Sequence, residues 1–190
     1  MKNFKTIAIA LLVAVGSFSA NAQEKKIDVA KSKINWVGKK ITGQHSGTLA
    51  FQSGTLIFKK DQLVGGNFTV DMNSITVTDI KAGEGKEKLE GHLKAEDFFG
   101  TEKHPTSTLV IKTIGKQSNN IYAVTADLTI KGITNSVKFK ITVNKDNTAN
   151  ASLVVDRTKY DVKYGSKSFF EGLGDNVISD DFELAIDLKF

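Results

Sequence analysis

The side chains best equipped for acid–base or metal chemistry are His45, His92 and His104, and their spacing suits neither. They lie far apart in sequence and none has a companion at the short separations of a zinc site. The chain contains no cysteine, which excludes thiolate nucleophiles and disulfides. No Gly-x-Ser-x-Gly elbow, His-Glu-x-x-His pair or P-loop occurs. Gly83-Glu84-Gly85 is followed by Lys88 where a dinucleotide fingerprint needs glycine, and no buried strand precedes it. Asp156-Arg157 reads as an ion pair, on the surface or inside, and Asp180-Asp181 as a solvated turn. The expectation is no catalytic residue, no metal and no cofactor.

What the chain does supply is apolar surface. Ten of its 12 phenylalanines fall after residue 22, with Trp36 and three tyrosines. Trp36, Phe51, Phe58, Phe68, Met72 and Phe139 fall on the apolar faces of alternating runs. Leu89, Leu93, Phe98 and Phe99 fall in a short helical motif. Such residues either fill a core or line a channel for hydrocarbon, where each buried methylene is worth ~0.8 kcal/mol.

The elements that must position them are mostly strands. Ile178, Phe182, Leu184, Ile186, Leu188 and Phe190 share even parity, with Glu183, Asp187 and Lys189 between them. Period two of this purity gives a strand with one wet and one buried face. The same pattern runs through Tyr122–Ile130 and Val137–Val143, whose short link Lys131–Ser136 makes them an antiparallel hairpin. Ile34–Ile41, Gly47–Phe58, Leu63–Asn73, Ser107–Ile114 and Ala149–Arg157 bring the total to about eight. Gly65-Gly66 and Asn144–Asn147 read as turns. Gly47 and Gly54 mark a bulge or sharp bend. One helix of about three turns is expected over Lys86–Phe99, inserted between the early and late strands. Adjacent Phe98 and Phe99 would point different ways from it, one into the sheet and one sealing its end. The fold class is all-β, an antiparallel barrel of about eight strands with one inserted helix. Thr158–Asn176 is a long connection carrying Tyr160, Tyr164, Phe169 and Phe170, expected to be a flap over the barrel mouth.

The N-terminus predicts export. Lys2 and Lys5 precede the apolar run Ile7–Val15, and Ala20-Asn21-Ala22 is a small-x-small cleavage site, the layout of a secretory signal peptide over residues 1–22. The apolar run is far shorter than the ~20 residues a membrane span needs. Residues 23–190 form one domain, free of any later transmembrane run, placed in the periplasm or secreted. Losing Lys2 and Lys5 lowers the formal charge from +5 to +3. That small excess is scattered among acidic residues, so no nucleic-acid partner is expected.

Gly91-His92-Leu93-Lys94-Ala95-Glu96-Asp97-Phe98-Phe99, followed by Lys103-His104-Pro105-Thr106, resembles the His-Leu-(Lys/Arg)-x-x-Asp-Phe-Phe…(Tyr/His)-Pro signature of the YceI-like family. Leu128-Thr129-Ile130-Lys131-Gly132-Ile133-Thr134 is similar to that family's Leu-Thr-Ile-x-Gly-(Val/Ile)-Thr block. His45-Ser46-Gly47, Gly66–Met72 and Asp180–Leu188 fall in the expected order. Lys94 stands where many members have Arg, His104 where Tyr is commoner, and Glu90-Gly91 where an Arg-Asp pair is frequent. The resemblance implies a lipocalin-like barrel in a periplasmic protein, with a long isoprenoid or other amphiphilic lipid in the lumen. On that basis the ligand-binding set is Trp36, Phe51, Phe58, Phe68, Met72, Leu89, Leu93, Phe98, Phe99, Phe139, Tyr160 and Tyr164. Two other readings stay open: a non-catalytic envelope-stress or protein-interaction module with a filled barrel, and an enzyme on lipid with His45 or His92 as base. A homodimer is compatible with the sequence.

Overall fold

The computed structural model describes residues 22–190, so residues 1–21 of the expected signal peptide lie outside the described residues. Among the described residues nine strands make one antiparallel sheet. They are β1 Gln23–Lys26, β2 Lys33–Lys40, β3 Gly43–Lys59, β4 Gln62–Val77, β5 Thr106–Lys116, β6 Ile121–Ile130, β7 Ile133–Val143, β8 Thr148–Asp156 and β9 Ile178–Lys189. Neighbours follow the order β3-β2-β9-β8-β7-β6-β5-β4, and β4 returns to β3 to close an eight-stranded barrel. The extra strand, β1, pairs Thr55–Phe58 on the edge of β3 that β2 leaves free beyond Leu49. Its sequence, Gln-Glu-Lys-Lys, has no apolar alternation, and backbone pairing alone makes it a strand.

Two hairpins turn on two residues with positive φ, Lys60-Asp61 and Lys131-Gly132, as the right-handed strand twist requires. The second is tighter than the expected Lys131–Ser136 link, because Ile133–Ser136 already belong to β7. Gly65-Gly66 is not a turn: the pair lies inside β4 opposite Ile57 and Leu56. A Cβ at Gly66 would sit 2.8 Å from the Thr55 carbonyl oxygen, so close strand approach accounts for that glycine. Of the bulge or bend expected near Gly47 and Gly54, β3 shows register shifts, between Thr48 and Ala50 and between Phe51 and Ser53. At Gly47 a Cβ would meet the Thr76 oxygen at 1.8 Å and the Trp36 indole at 2.6 Å. The indole lies across β3 only because residue 47 has no side chain.

The helix α1 covers Lys86–Lys94 and stops short of the expected Phe99. Extending it would set Glu96 and Asp97 at the negative end of the helix dipole. Instead Ala95 turns extended, and the amides of Ala95, Phe99 and Thr101 bond the carbonyls of Gly91, Leu93 and Lys94. Glu90 ties the helix to the barrel by accepting a 2.8 Å bond from the Val77 N–H, beyond the stretch of β4 that pairs with β5.

The interior divides into unequal parts. The lower part is packed by Phe51, Leu56, Phe58, Phe68, Tyr122 and Ile141. The upper part holds Trp36, Ile75, Val77, Leu93, Phe98 and Val162. A third cluster closes a gap in the wall. β7 and β8 pair only over Lys140–Val143 and Ala149–Ser152. Beyond that the strands part, and a 3-10 turn, Arg157–Tyr160, fills the space with Tyr160 against Leu128, Ile130, Leu153 and Val155.

Candidate functional site

An apolar cavity of about 120 Å³ lies in the upper half of the barrel. Ile34 and Trp36 of β2, Met72 and Ile75 of β4, and Phe182 and Leu184 of β9 form its sides. Leu93, Phe98 and Phe99 close it from above, and the lining is mostly apolar, with Ser107, Arg157, Ser179 and Asp181 also on its border. A larger groove of about 660 Å³ opens beside it, walled by the β2–β3 hairpin (Lys39, Lys40, Thr42, His45) and by α1 (Lys88, Leu89, His92). Tyr164, Asp175 and Asn176 contribute from the Thr158–Asn176 connection. Cavity and groove share Trp36, Gly38, Leu93, Phe98 and Ile178 in their walls.

Phe98 and Phe99 do not divide as expected. Freed from the helix, they sit edge to face at 5.1 Å and both border the cavity. Phe98 stacks edge-on with His92 at 5.4 Å, and Phe99 reaches Phe182 at 6.3 Å. The structure thus brings together Trp36, Met72, Leu93, Phe98 and Phe99 at the cavity, with Leu89 and Tyr164 in the groove. Phe51, Phe58, Phe68, Phe139 and Tyr160 border neither. Phe51 and Phe68 pack together at 6.0 Å in the lower core, Phe58 lies against Phe190, and Phe139 packs inward from β7. Phe182 and Leu184 were legible from the even parity of β9. Ile75 required β4 to run past Asn73.

The connection over Thr158–Asn176 is anchored rather than free, and Arg157 is the anchor. Its guanidinium is 3 % exposed and donates to the carbonyls of Ser179 at 2.9 Å, Val162 at 2.7 Å and Ile178 at 3.1 Å. It stands 5.7 Å from the Phe98 ring and 3.9 Å from Asp180, so the ion pair is interior and made with Asp180. Burial lowers the Arg157 pKa, opposed by Asp180 and Asp156. Burial alone would raise Asp180, but Ser166, Ser168 and the Arg157 charge outweigh it and hold the carboxyl below its ordinary value. Tyr160 is buried with its hydroxyl unpartnered, and burial pushes it up to about 12. Val162 and Ser166 are fully buried, whereas Tyr164, Phe169 and Phe170 are half exposed.

The histidines do not converge. His45 Nδ1 donates to Asp79 Oδ2 at 2.8 Å, and the Ser46 N–H donates to Asp79 Oδ1. Burial would raise Asp79, but these two bonds hold it below the carboxylate range. His92 lies between Phe98 and Tyr164, edge-on to both. His104 sits beside the Gly132 turn. Among the described residues no group of three or more His, Asp or Glu side chains could hold a metal ion, and no helix is long and apolar enough to cross a membrane.

The sequence model of the YceI-like domain matches residues 26–190. A UPF0312 protein of Staphylococcus aureus is 31% identical over 140 residues, covering 65% of this chain and 78% of the relative. One from Photorhabdus laumondii is 30% identical over 126 residues, covering 63% and 60%. Among solved structures, Burkholderia cenocepacia BcnA superposes with TM-score 0.68 at 23% identity, covering 85% of this chain and 98% of its own. A polyisoprenoid binding domain from Saccharophagus degradans, implicated in plant cell wall breakdown, gives 0.58 at 15% identity, covering 86% and 95%. The YceI protein of Campylobacter jejuni gives 0.51 at 16% identity, covering 98% and 88%. At these identities the three structures share the fold.

Proposed function

The chain belongs to the YceI-like family, and from that premise we propose that it is a non-catalytic binding protein for a long-chain isoprenoid or other amphiphilic lipid, exported to the periplasm or beyond. The observation that carries the reading is the largely apolar cavity joined through shared walls to a wider groove. A cavity of about 120 Å³ is slightly smaller than the ~150 Å³ engineered cavity that stays dry and binds benzene. It takes the end of a chain, and the remainder lies in the groove beneath the hairpin and α1. Burying methylenes at ~0.8 kcal/mol each gives roughly 4 kcal/mol for a five-carbon isoprene unit. No charged contact is needed for that part of the affinity. Export rests on residues 1–22, and the polyisoprenoid class on what the Saccharophagus domain is described as binding.

Trp36 is the chain's one tryptophan and borders both spaces, so its emission reports occupancy. Titration with neutral prenols of increasing length should give affinity that rises with length and then levels once cavity and groove are full. Leu184→Phe, which fills the cavity from β9, should weaken every member of the series. Emission that no prenol alters would sink the proposal. The filled-barrel interaction module draws on the lower half, where Phe51, Phe58 and Phe68 pack in one buried cluster. An empty result in the titration with a fully folded protein would favour it.

A further inference from the structure

The charged groups around the groove are not balanced locally. Its walls contain three lysines, Lys39, Lys40 and Lys88, and one carboxylate, Asp175. Lys39 is paired with Glu183, and Asp79 is engaged by His45 and the Ser46 amide. Among the described residues Lys40 and Lys88 have no ion-pair partner within 4.0 Å. They come from opposite walls, Lys40 from the end of β2 and Lys88 from the first turn of α1. The groove also carries Ile80, Leu89, Leu93 and Trp36, the last two shared with the largely apolar cavity. His45 and His92 add imidazoles from the same two walls.

Two ammonium groups without ion-pair partners, bordering a groove that shares walls with a largely apolar cavity, define the polarity of what fits there. A cationic head would meet Lys40 and Lys88 as like charges, with only Asp175 to offset them. A neutral head would leave both ammonium groups in water and gain nothing from them. An anionic head accepts from both while its chain continues past Trp36. We propose that the groove selects an anionic headgroup, a carboxylate or phosphate, held between Lys40 and Lys88 on the amphiphile whose tail occupies the cavity. The assignment rests on the tail-binding reading above and adds the class of head.

The test compares one hexadecyl chain carrying a carboxylate, a phosphate monoester or an alcohol, each below its aggregation concentration, by Trp36 emission. Two exposed charge pairs should favour the anionic forms over the alcohol by about two- to thirtyfold. In Lys40→Gln/Lys88→Gln that preference should vanish, with unchanged thermal unfolding certifying the fold of the variant. Raising salt to about 1 M, where the Debye length is ~3 Å, should shrink the preference as well. Equal binding of acid and alcohol by the parent protein would overturn the proposal. So would a preference that survives the double substitution. Inorganic phosphate that competes with the acid as effectively as the lipid phosphate would replace the headgroup assignment with a free-anion site. If none of the three chains binds, the tail reading itself falls.

Discussion

Arg157→Met removes the one buried charge that ties the late connection to the barrel. The guanidinium satisfies three carbonyls, those of Val162, Ile178 and Ser179, at 2.7–3.1 Å, and faces Asp180 at 3.9 Å. Each buried acceptor left unpaired costs ~1–3 kcal/mol, and the three share one loop that relaxes to relieve them together, so a loss of about 3–5 kcal/mol is expected. Asp180 is 24% exposed and keeps the Ser168 hydroxyl, so the lost ion pair adds little. Domains of this size have ~5–15 kcal/mol in total. The variant should therefore fold at low temperature with a much lower urea midpoint. Arg157→Lys keeps the charge but not the fork that reaches three carbonyls, and should lose about 1–3 kcal/mol. The Asp180 carboxyl, held below its ordinary value, contributes stability that is fully present above the unfolded carboxylate pKa of ~3.9 and is lost as pH falls through the folded value. The gap between parent and Asp180→Asn should accordingly narrow below about pH 4. A urea midpoint for Arg157→Met that implies less than about 1 kcal/mol would refute the anchoring role.

The remaining predictions concern individual walls. Tyr160, raised to about 12 by burial, favours the folded state below the unfolded tyrosine pKa of ~10 and loses that contribution as pH climbs through 12. An ultraviolet titration should show one of the three tyrosines ionising late, and Tyr160→Phe, which deletes an unpartnered hydroxyl, should be neutral or slightly stabilising by thermal unfolding. Gly47→Ala puts a methyl into the Thr76 carbonyl and the Trp36 ring, so it should cost at least ~1–3 kcal/mol and shift Trp36 emission; a silent substitution would mean the indole does not lie across β3. Phe139→Trp, on a residue bordering neither space, should show an overpacking cost of ~1–3 kcal/mol with lipid affinity unchanged, as read by calorimetry.

The barrel was legible because alternation on β6, β7 and β9 survives almost intact, and because the Gly91–Phe99 and Leu128–Thr134 blocks cover the helix junction and a hairpin. Period two names the inward face of a strand but not the height of a residue along the barrel axis. Phe51 and Phe68 therefore read like Trp36 and Met72, although the first two pack the lower core and the others border the cavity. Height follows from strand stagger and from where pairing lapses, as between β7 and β8, and neither is written in a single strand. The helix end was missed because Leu89, His92 and Leu93 set a helical period that Glu96 and Asp97 then oppose. Arg157 reads in the sequence as an ion-pair partner of Asp156, and its anchoring role is not legible there because its main partners are backbone carbonyls of Val162, Ile178 and Ser179, which carry no side-chain signature.

On the proposed function, a lipid tail enters the upper barrel under Phe98 and Phe99. Native mass spectrometry of the full-length chain expressed with its N-terminal segment and purified without detergent tests it most directly. A one-to-one adduct of a single-chain lipid is expected, released by organic solvent and absent or much reduced in Leu184→Phe of equal thermal stability. A protein that carries no lipid, and takes up none when offered prenols or fatty acids, would contradict it.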